Sequence, residues 1–394
     1  AANYLLPLIT LPYLVRVLGP EKFGLISFAQ AFIAYFNIIV DYGFNLSATR
    51  EISINRDNKE KISEIFSSVM IIKLLLLVLS FIIMSVIVFS FEKFRQDWLL
   101  YYLTFGMVIG QALFPTWFFQ GMEKMKYITY LNITAKLIFT FSIFLFIRKE
   151  SDYLYVLLLN SLGFIVAGVF ALLVVFRYFD ISFKIVDFEI LKYQLKEGWY
   201  IFISTVAISL YTVSNIFILG LFANNTIVGY YAAGEKLVRA IQGIWTPISQ
   251  VLYPYFSKLY HDNLDKARIL LFKVLGITSI ITLFISVSVS LTAYLLVPLI
   301  LGDEYVYSIK IVQILIFIVF AIGVNNILGI QGLVASGYQD KFFKLVFISG
   351  TLHIVLLLIF IPKFGFLSVA VLTVASELFI GFMEYFVLKK LKIL

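Results

Sequence analysis

Residues 25–49 form an apolar run long enough to cross a bilayer, yet Gln30, Asn37, Asp41 and Asn45 lie within it. At about 100° per residue these side chains fall on one narrow helical face, and phenylalanines and isoleucines cover the rest. A carboxylate at mid-span costs on the order of 3 kcal/mol on insertion, so it normally faces a partner or a water-filled cavity. The spacing therefore predicts one wall of a polar cavity. Its carboxylate could hold a proton or a sodium ion, and its amides could bind hydroxyl groups.

A second polar face follows 205 residues later, where the loop 262–266 also repeats the charged pattern of the loop 57–61. The residues that correspond to the first face are Glu235, Arg239, Gln242, Thr246 and Gln250. Chance similarity between two apolar sequences is the alternative explanation, but loops and polar faces coincide at the same shift. The repeat predicts two bundles of six helices related by a pseudo-two-fold axis along the membrane normal.

Several cations in or beside the apolar runs could bind an anionic group. Arginine forks suit the oxygens of a diphosphate, and lysine adds a point charge. The predicted substrate-binding residues are Arg16, Asn37, Asp41, Asn45, Arg50, Lys236, Arg239 and Gln242. The predicted ion-coupling carboxylates are Asp41, Glu235 and Glu377.

Other interpretations of these charges stay open at this point. Glu235 and Arg239 are i,i+4 neighbours, so they could form an internal ion pair with no role in binding. Arg50 at a helix end could only orient the chain. Arg16, Lys73 and Glu384 are close enough to predicted span ends to extend toward the membrane surface.

Composition places the chain among helical membrane proteins. Of 394 residues, 61% are hydrophobic and only 14% are charged, against about 25% charged in soluble domains. The apolar runs have the length of membrane-spanning helices, and no nucleotide-binding P-loop motif occurs in the sequence. With no cysteine and two histidines, we expect no metal site and no cofactor.

Twelve spans are predicted, and their loops differ in charge. One set of alternate loops carries 19 lysines and arginines and the other set carries 7. Positive residues stay on the cytoplasmic side, so both termini are predicted to be cytoplasmic. Orientation and attraction to anionic lipids account for the net charge of +8, so no nucleic-acid partner is needed. The predicted spans are 1–18, 25–49, 66–91, 98–120, 127–147, 153–176, 198–222, 227–249, 269–301, 307–333, 345–361 and 365–388.

The predicted domains follow the repeat. An N-terminal lobe covers residues 1–176, whose first span we expect to lack its start, and a C-terminal lobe covers residues 198–394. Residues 177–197 mix apolar and charged positions without glycine or proline, which is typical of a surface helix. A solvated loop joining the lobes is the alternative.

The sequence also resembles a known family. Residues 3–24, the triplet Asp41-Tyr42-Gly43, the segment 48–52 and the motif 117–121 (WFFQG) are similar to the O-antigen and capsule flippases of the polysaccharide transporter family. The resemblance extends over the whole chain and is most specific in residues 3–53.

This resemblance implies the fold of the multidrug/oligosaccharidyl-lipid/polysaccharide exporter superfamily, with two six-helix lobes in a V around a cationic central cavity. It implies an all-α polytopic protein of the bacterial inner membrane that takes part in O-antigen and lipopolysaccharide synthesis. The expected substrate is an undecaprenyl-diphosphate-linked oligosaccharide, turned from the cytoplasmic to the periplasmic leaflet by alternating access. A proton or sodium ion, the lipid bilayer, a polysaccharide polymerase and a chain-length regulator are the other expected partners.

Two alternative functions are weighed against the flippase. A cation-coupled multidrug exporter of the same superfamily is expected to have acidic cavity residues without matching cations, and Lys236 and Arg239 disfavour it. A membrane-embedded O-antigen polymerase or ligase, which would be an enzyme, usually has one long periplasmic loop. Here the predicted non-cytoplasmic loops are about six residues or shorter.

Overall fold

The structure is a computed structural model that describes residues 2–243 and 245–394. The side chains of residues 2–8, 207, 208, 210–212 and 246 are outside this description, so the predicted role of Thr246 lies outside the described residues. The described residues form helices joined by turns and loops and contain no strand, which confirms the predicted all-α class.

The α-helices are numbered in chain order. They are α1 (Ala2–Asp41), α2 (Phe44–Ile54), α3 (Lys59–Ser90), α4 (Glu92–Arg95), α5 (Trp98–Leu113), α6 (Thr116–Gly121), α7 (Met125–Phe146), α8 (Tyr153–Tyr178), α9 (Phe188–Phe222), α10 (Asn225–Gln242), α11 (Trp245–Asp262), α12 (Leu264–Leu301), α13 (Ser308–Leu315), α14 (Phe317–Asn325), α15 (Gln339–Phe364) and α16 (Leu367–Lys390). A π-helix joins α14 to the loop before α15 and covers Asn326–Val334.

The chain forms two compact units. Unit 1 contains the residues through Thr10 and Ile26–Ser209, and unit 2 contains Leu11–Leu25 and Leu210–Leu394. Nine helical segments of the described residues are long and apolar enough to cross a membrane. The first of these, Ile9–Ile54, contains most of both initial predicted spans. The chain is therefore an integral membrane protein, and its arrangement into twelve spans and two lobes stays a prediction.

The core of unit 1 is built on aromatic rings that the polar-face analysis placed on the apolar side of α1. Phe32 lies 5.6 Å from Tyr101 between ring centroids, and Phe36 lies 6.2 Å from Phe105. A second cluster surrounds Trp117, which is fully buried. These aromatic contacts bury the apolar face of α1 inside protein, whereas the hydropathy pattern alone would allow it to face lipid.

Two predicted spans are interrupted, and these predictions were wrong in detail. Span 25–49 stops at Asp41, because Tyr42 (φ 45°) and Gly43 (φ 80°) leave the helical region before α2 begins. Span 227–249 stops at Gln242, and α11 begins at Trp245. Neither α10 nor α11 is among the nine membrane-length helices of the described chain. Gln30, Asn37 and Asp41 therefore lie on α1 and Asn45 on α2, whereas Glu235, Arg239 and Gln242 lie on α10 and Gln250 on α11.

The segment predicted as a surface helix or loop is extended at first. Residues 179–187 are non-helical, and α9 then starts at Phe188 and continues through the predicted seventh span. Two serines one turn apart on α3 hold the extended part: the Ser63 hydroxyl accepts from Ser182 N–H at 3.3 Å and the Ser67 hydroxyl from Lys184 N–H at 2.8 Å. These hydrogen bonds replace the helical ones that the segment lacks.

In unit 2 a crossing of α1 and α10 is made by two glycines. A Cβ at Gly24 would overlap the carbonyl oxygen of Asn225, and a Cβ at Gly229 would overlap that of Pro20. Small residues allow helix backbones to approach closely in this way. The two glycines are also the pair that the 205-residue shift superposes.

Candidate functional site

The first polar face lies on α1 in unit 1, at the point where that helix ends. Asp41, the last residue of α1, is 32% exposed and accepts an ion-paired hydrogen bond from Lys73 on α3 at 3.1 Å. Asn37, one turn earlier, is half-buried, and its side-chain oxygen has no hydrogen-bond partner among the described residues. The face thus presents a partly exposed carboxylate and a nearby unpaired amide oxygen.

Lys73 does not extend to the membrane surface, so that interpretation was wrong. Its side chain is only 2% exposed, and its ammonium reaches Asp41 and, at 3.4 Å, the carbonyl oxygen of Gln111. The pairing was missed because helical periodicity relates residues of one helix, whereas Asp41 and Lys73 lie on different helices. An apolar run with a lone lysine was the only signal available.

The break at Gly43 separates two predicted binding residues from this face. Asn45 and Arg50 are exposed on α2, and the Asn45 carbonyl oxygen accepts a hydrogen bond from the Thr49 hydroxyl at 2.8 Å. Asn45 therefore does not continue the α1 face that holds Asn37 and Asp41. Arg16, in unit 2, is exposed and donates to the carbonyl oxygen of Leu299.

The second polar face lies on α10 in unit 2 and carries a local ion pair. Arg239 donates from two nitrogens to one carboxylate oxygen of Glu235, at 3.1 and 3.3 Å. Glu235 is only 10% exposed by side chain, whereas the Arg239 side chain is 37% exposed. The Lys236 ammonium lies 4.7 Å from the centre of the Phe23 ring. The pair leaves part of the guanidinium accessible.

Glu377 on α16 adds a second carboxylate to this region. It accepts a hydrogen bond from the Asn325 side-chain amide at 2.7 Å, and it lies close enough to attract Arg239 electrostatically. Three of the sequence-predicted residues, Glu235, Arg239 and Glu377, are therefore brought together inside unit 2. Glu235 and Arg239 lie on α10 and Glu377 lies on α16, and the cost of burying each charge is reduced by the others.

Glu384, two turns further along α16, is fully buried, so the expectation that it reaches the surface was wrong. Its carboxylate lies against Gly329 of the π-helix, where a Cβ would overlap it. Neither of its oxygens has a hydrogen-bond partner among the described residues. The missing side chain at Gly329 makes the space that the carboxylate occupies, and a glycine in an apolar helix was the only hint in the sequence.

A cavity of about 490 Å³ opens in unit 2 where α10 gives way to α11. The predicted residues Gln242 and Gln250 line it together with aromatic, hydroxyl and amide side chains. The full lining is Gln242, Trp245, Ser249, Gln250, Tyr253, Ile322, Asn326 and Ile330. The wall residues that the structure describes carry no charged side chain, and Arg239 precedes Gln242 by three residues on α10.

Unit 1 contains a separate cavity of about 300 Å³ between α1, α5, α7 and α8. Gln30 of the first polar face borders it, and Lys136, Asn132 and Asn160 add polar groups to walls that are mostly apolar. Asn132, Lys136 and Thr140 share one face of the fifth predicted span, and all three line this cavity.

A buried hydrogen-bond chain in unit 2 was not predicted. His353 is fully buried, with one ring nitrogen 2.9 Å from the Ser376 hydroxyl and the other 2.8 Å from the Asn215 amide oxygen. Asn215 in turn donates to Thr373 at 3.0 Å. In the part of the chain that is described, no three histidines and carboxylates cluster to hold a metal ion.

The fold defines the class of protein. A multidrug resistance MATE family transporter of the MOP superfamily, in an inward-facing conformation, matches 98% of this chain and 94% of its own length with a TM-score of 0.73 at 16% identity. The lipid II flippase MurJ, in an inward closed conformation, matches 98% of this chain and 85% of its own length with a TM-score of 0.75 at 14% identity. The chain shares the fold of these two proteins and carries buried charges in its helices.

The sequence comparisons identify the family. The family described as "Polysaccharide biosynthesis protein" matches residues 1–260. The Escherichia coli (strain K12) protein named "Putative O-antigen transporter" is 33% identical over 95% of this chain and 91% of its own length. A Shigella dysenteriae protein of the same name is 30% identical over 89% of this chain and 87% of its own length. The chain belongs to this polysaccharide biosynthesis family.

Proposed function

We propose that this protein flips an undecaprenyl-diphosphate-linked oligosaccharide from the cytoplasmic to the periplasmic leaflet of the bacterial inner membrane. The observation that carries the proposal is Arg239, a partly exposed guanidinium that Glu235 holds in place on the same helix as the cavity-lining Gln242. A diphosphate needs such a preoriented donor, and a glycan needs such a cavity. The relatives named O-antigen transporters give independent support.

The predicted residues divide by role in this proposal. Arg239 and Lys236 bind the diphosphate, and the exposed Arg16 on α1 and Arg50 on α2 attract it. Asn37, Asn45 and Gln242 hydrogen-bond hydroxyl groups. Asp41, Glu235 and Glu377 carry the proton or sodium ion that drives the cycle. Two six-helix lobes around a central cavity, with both termini cytoplasmic, provide alternating access.

The test is transport in proteoliposomes of an undecaprenyl-diphosphate-linked oligosaccharide made by the source organism. Losing a charge-assisted contact costs about 1.5–3 kcal/mol, which is roughly a ten- to hundredfold loss of affinity. Arg239→Lys should therefore keep part of the flipping rate and Arg239→Ala little of it. Arg148→Ala is the matched control, because Arg148 is exposed and its guanidinium donates to the carbonyl oxygen of Leu145 at 3.2 Å, away from the candidate site.

Three outcomes would contradict the proposal. Export of cationic dyes without flipping of the lipid-linked oligosaccharide would favour a multidrug exporter. Restored flipping in the double variant Glu235→Ala with Arg239→Ala would show that the pair is only structural. Unchanged flipping after both the proton and the sodium gradient are collapsed would remove the coupling role of Asp41, Glu235 and Glu377.

Orientation is read in the same system with single cysteines. Asp57 and Asp303 are exposed and lie in loops predicted to face opposite sides. A membrane-impermeant thiol reagent should reach Asp57→Cys from the cytoplasmic side and Asp303→Cys from the periplasmic side. Labelling of both from one side would overturn the proposed topology.

A further inference from the structure

The cavity at the junction of α10 and α11 has a composition unlike that of the other polar regions. Two aromatic side chains, Trp245 and Tyr253, and three amides line it with one serine and two isoleucines. The nearest predicted ligand groups, on α10 and α16, are charged. The cavity is thus neutral, whereas its surroundings are not.

Two hydrogen-bonding groups at the cavity have no partner in the described chain. These are the side-chain oxygen of Gln242 and the indole N–H of Trp245, one acceptor and one donor. Buried polar groups are usually paired, and leaving one unpaired costs about 1–3 kcal/mol. Both atoms are buried in the cavity wall, and a rotation of either side chain toward the cavity would pair its polar atom with a donor or an acceptor of a ligand.

Ser249, a third residue of the cavity wall, accepts hydrogen bonds from a residue behind the wall. Gln331 of the π-helix donates to both the carbonyl oxygen and the hydroxyl oxygen of Ser249, at 3.1 Å each. This double contact fixes the start of α11 against the π-helix within unit 2. The wall is therefore organised before any ligand enters, which lowers the entropic cost of binding.

This combination matches the chemistry of a sugar ring. The C–H face of a pyranose packs against a flat aromatic surface, and its hydroxyls both donate and accept hydrogen bonds. Amide side chains can do both in return, and Trp245 donates. A carboxylate-bearing sugar would find no cation in the walls, and burying an unpaired charge is costly.

The spacing from Arg239 indicates which sugar would enter. Gln242 follows Arg239 by three residues, which is about 4.5 Å along a helix axis. One pyranose ring is roughly that long. If Arg239 holds the diphosphate, the ring attached directly to that diphosphate reaches the cavity.

We infer that this cavity is a subsite for a neutral sugar, namely the ring that is linked to the diphosphate of the carrier lipid. The inference rests on the proposed function for its ligand. It adds to that proposal a position, a substrate class and a set of recognising residues: Gln242, Trp245, Gln250, Tyr253 and Asn326.

The test measures sugar binding without transport. Methyl glycosides of glucose, galactose, N-acetylglucosamine and N-acetylgalactosamine, with methyl glucuronide as the acidic probe, are mixed with the purified full chain in detergent. Saturation-transfer NMR reports which glycoside binds. We expect at least one neutral glycoside to bind and the glucuronide to give no signal.

Variants then locate the binding. Trp245→Ala and Gln242→Ala should each reduce the signal at least fivefold, and Trp245→Phe, which keeps a flat ring, should reduce it less. Trp199→Ala is the matched control, because Trp199 is 48% exposed and lies in unit 1. Melting temperatures identify a variant that fails to fold, and Asn326→Ala then replaces it.

The inference is overturned if no neutral glycoside binds, if the glucuronide binds as well, or if Trp245→Ala and Asn326→Ala bind like the parent protein. The last result would mean that the aromatic residues only pack at the membrane boundary. Because the glycosides carry no diphosphate, these outcomes are independent of the flipping assay. Sugar binding without flipping would contradict the proposed function and leave the subsite standing.

Discussion

The two units each bury a carboxylate–cation pair, but the pairs are built in opposite ways. In unit 1 the cation is the buried partner: Lys73 is 2% exposed and reaches Asp41 on another helix, which is 32% exposed. In unit 2 the carboxylate is the buried partner, and Arg239, on the same helix as Glu235, remains 37% exposed. The first pair links α1 to α3. The second pair holds the Arg239 guanidinium in place and leaves part of it exposed to a ligand.

An ion pair can therefore stabilise the fold or bind a ligand, depending on which of its two partners remains exposed to solvent. A ligand cannot reach the ammonium of Lys73, because the side chain is buried and already contacts Asp41 and a backbone carbonyl oxygen. A partly exposed guanidinium with five donors still has hydrogen bonds to give after pairing once. We expect the consequences of breaking the two pairs to differ accordingly.

The largest stability effect is expected from Asp41→Ala. Removing one partner of a buried pair leaves an uncompensated charge, which costs about 3 kcal/mol or more of unfolding free energy. The double variant Asp41→Ala with Lys73→Met should recover most of that loss, because methionine removes the stranded charge and keeps the volume. Thermal unfolding in detergent measures the stability of both variants. If the double variant is as unstable as Asp41→Ala, the ion pair does not stabilise the packing of α1 against α3.

A smaller effect is expected when the unit 2 pair is broken. Arg239→Ala should lower the unfolding free energy by about 1 kcal/mol, a typical value for a single substitution. Glu235 still has the attraction of Lys236 beside it. If Arg239→Ala destabilises the protein as much as Asp41→Ala does, the contrast between the two pairs is lost.

The smallest effect is expected at an exposed pair on the loop after α6. Arg56 contacts Glu123 at 2.9 Å, and the hydrogen bond from Arg56 lowers the pKa of Glu123. A lowered folded-state pKa means that the contribution is present above the ordinary glutamate pKa and is lost as the pH falls through the folded value. Because Glu123 is 73% exposed, Glu123→Gln should leave the melting temperature at pH 7 unchanged within error. A clear drop at pH 7 that disappears at pH 3 would show that exposed pairs matter here too.

The long apolar helices could be predicted from the sequence because hydropathy and charge determine them directly. Predicted span 153–176 corresponds to α8 (Tyr153–Tyr178), and predicted span 365–388 corresponds to α16. The break at Gly43 could not be predicted, because hydropathy is averaged over a window of about 19 residues and does not resolve a single turn. Only the backbone angles of Tyr42 and Gly43 reveal the first break.

In the candidate site, only the contacts within one helix could be predicted from the sequence. Helical spacing was enough to place Glu235 beside Arg239, since residues four apart share a face. It could not place Lys73 beside Asp41 or Glu377 beside Asn325, because these contacts depend on which helices pack together. Nor could it show that Trp245 and Tyr253 line the same cavity as Gln242, since residues of another part of the chain, Ile322, Asn326 and Ile330, complete its walls.

The glycine crossing of α1 and α10 has a mechanical consequence. At Gly24 and Gly229 the two helix backbones are in direct contact, so no side chain between them can change conformation. A tilt of α10 would therefore pivot at this crossing, called here the fulcrum. Arg239 lies ten residues beyond Gly229 on the same helix, which is a lever arm of about 15 Å. Tilting α10 by about 10° around the fulcrum would move the Arg239 backbone by about 2.6 Å, close to the length of one hydrogen bond. A tilt of that size would be enough to form or break a hydrogen bond between Arg239 and a ligand.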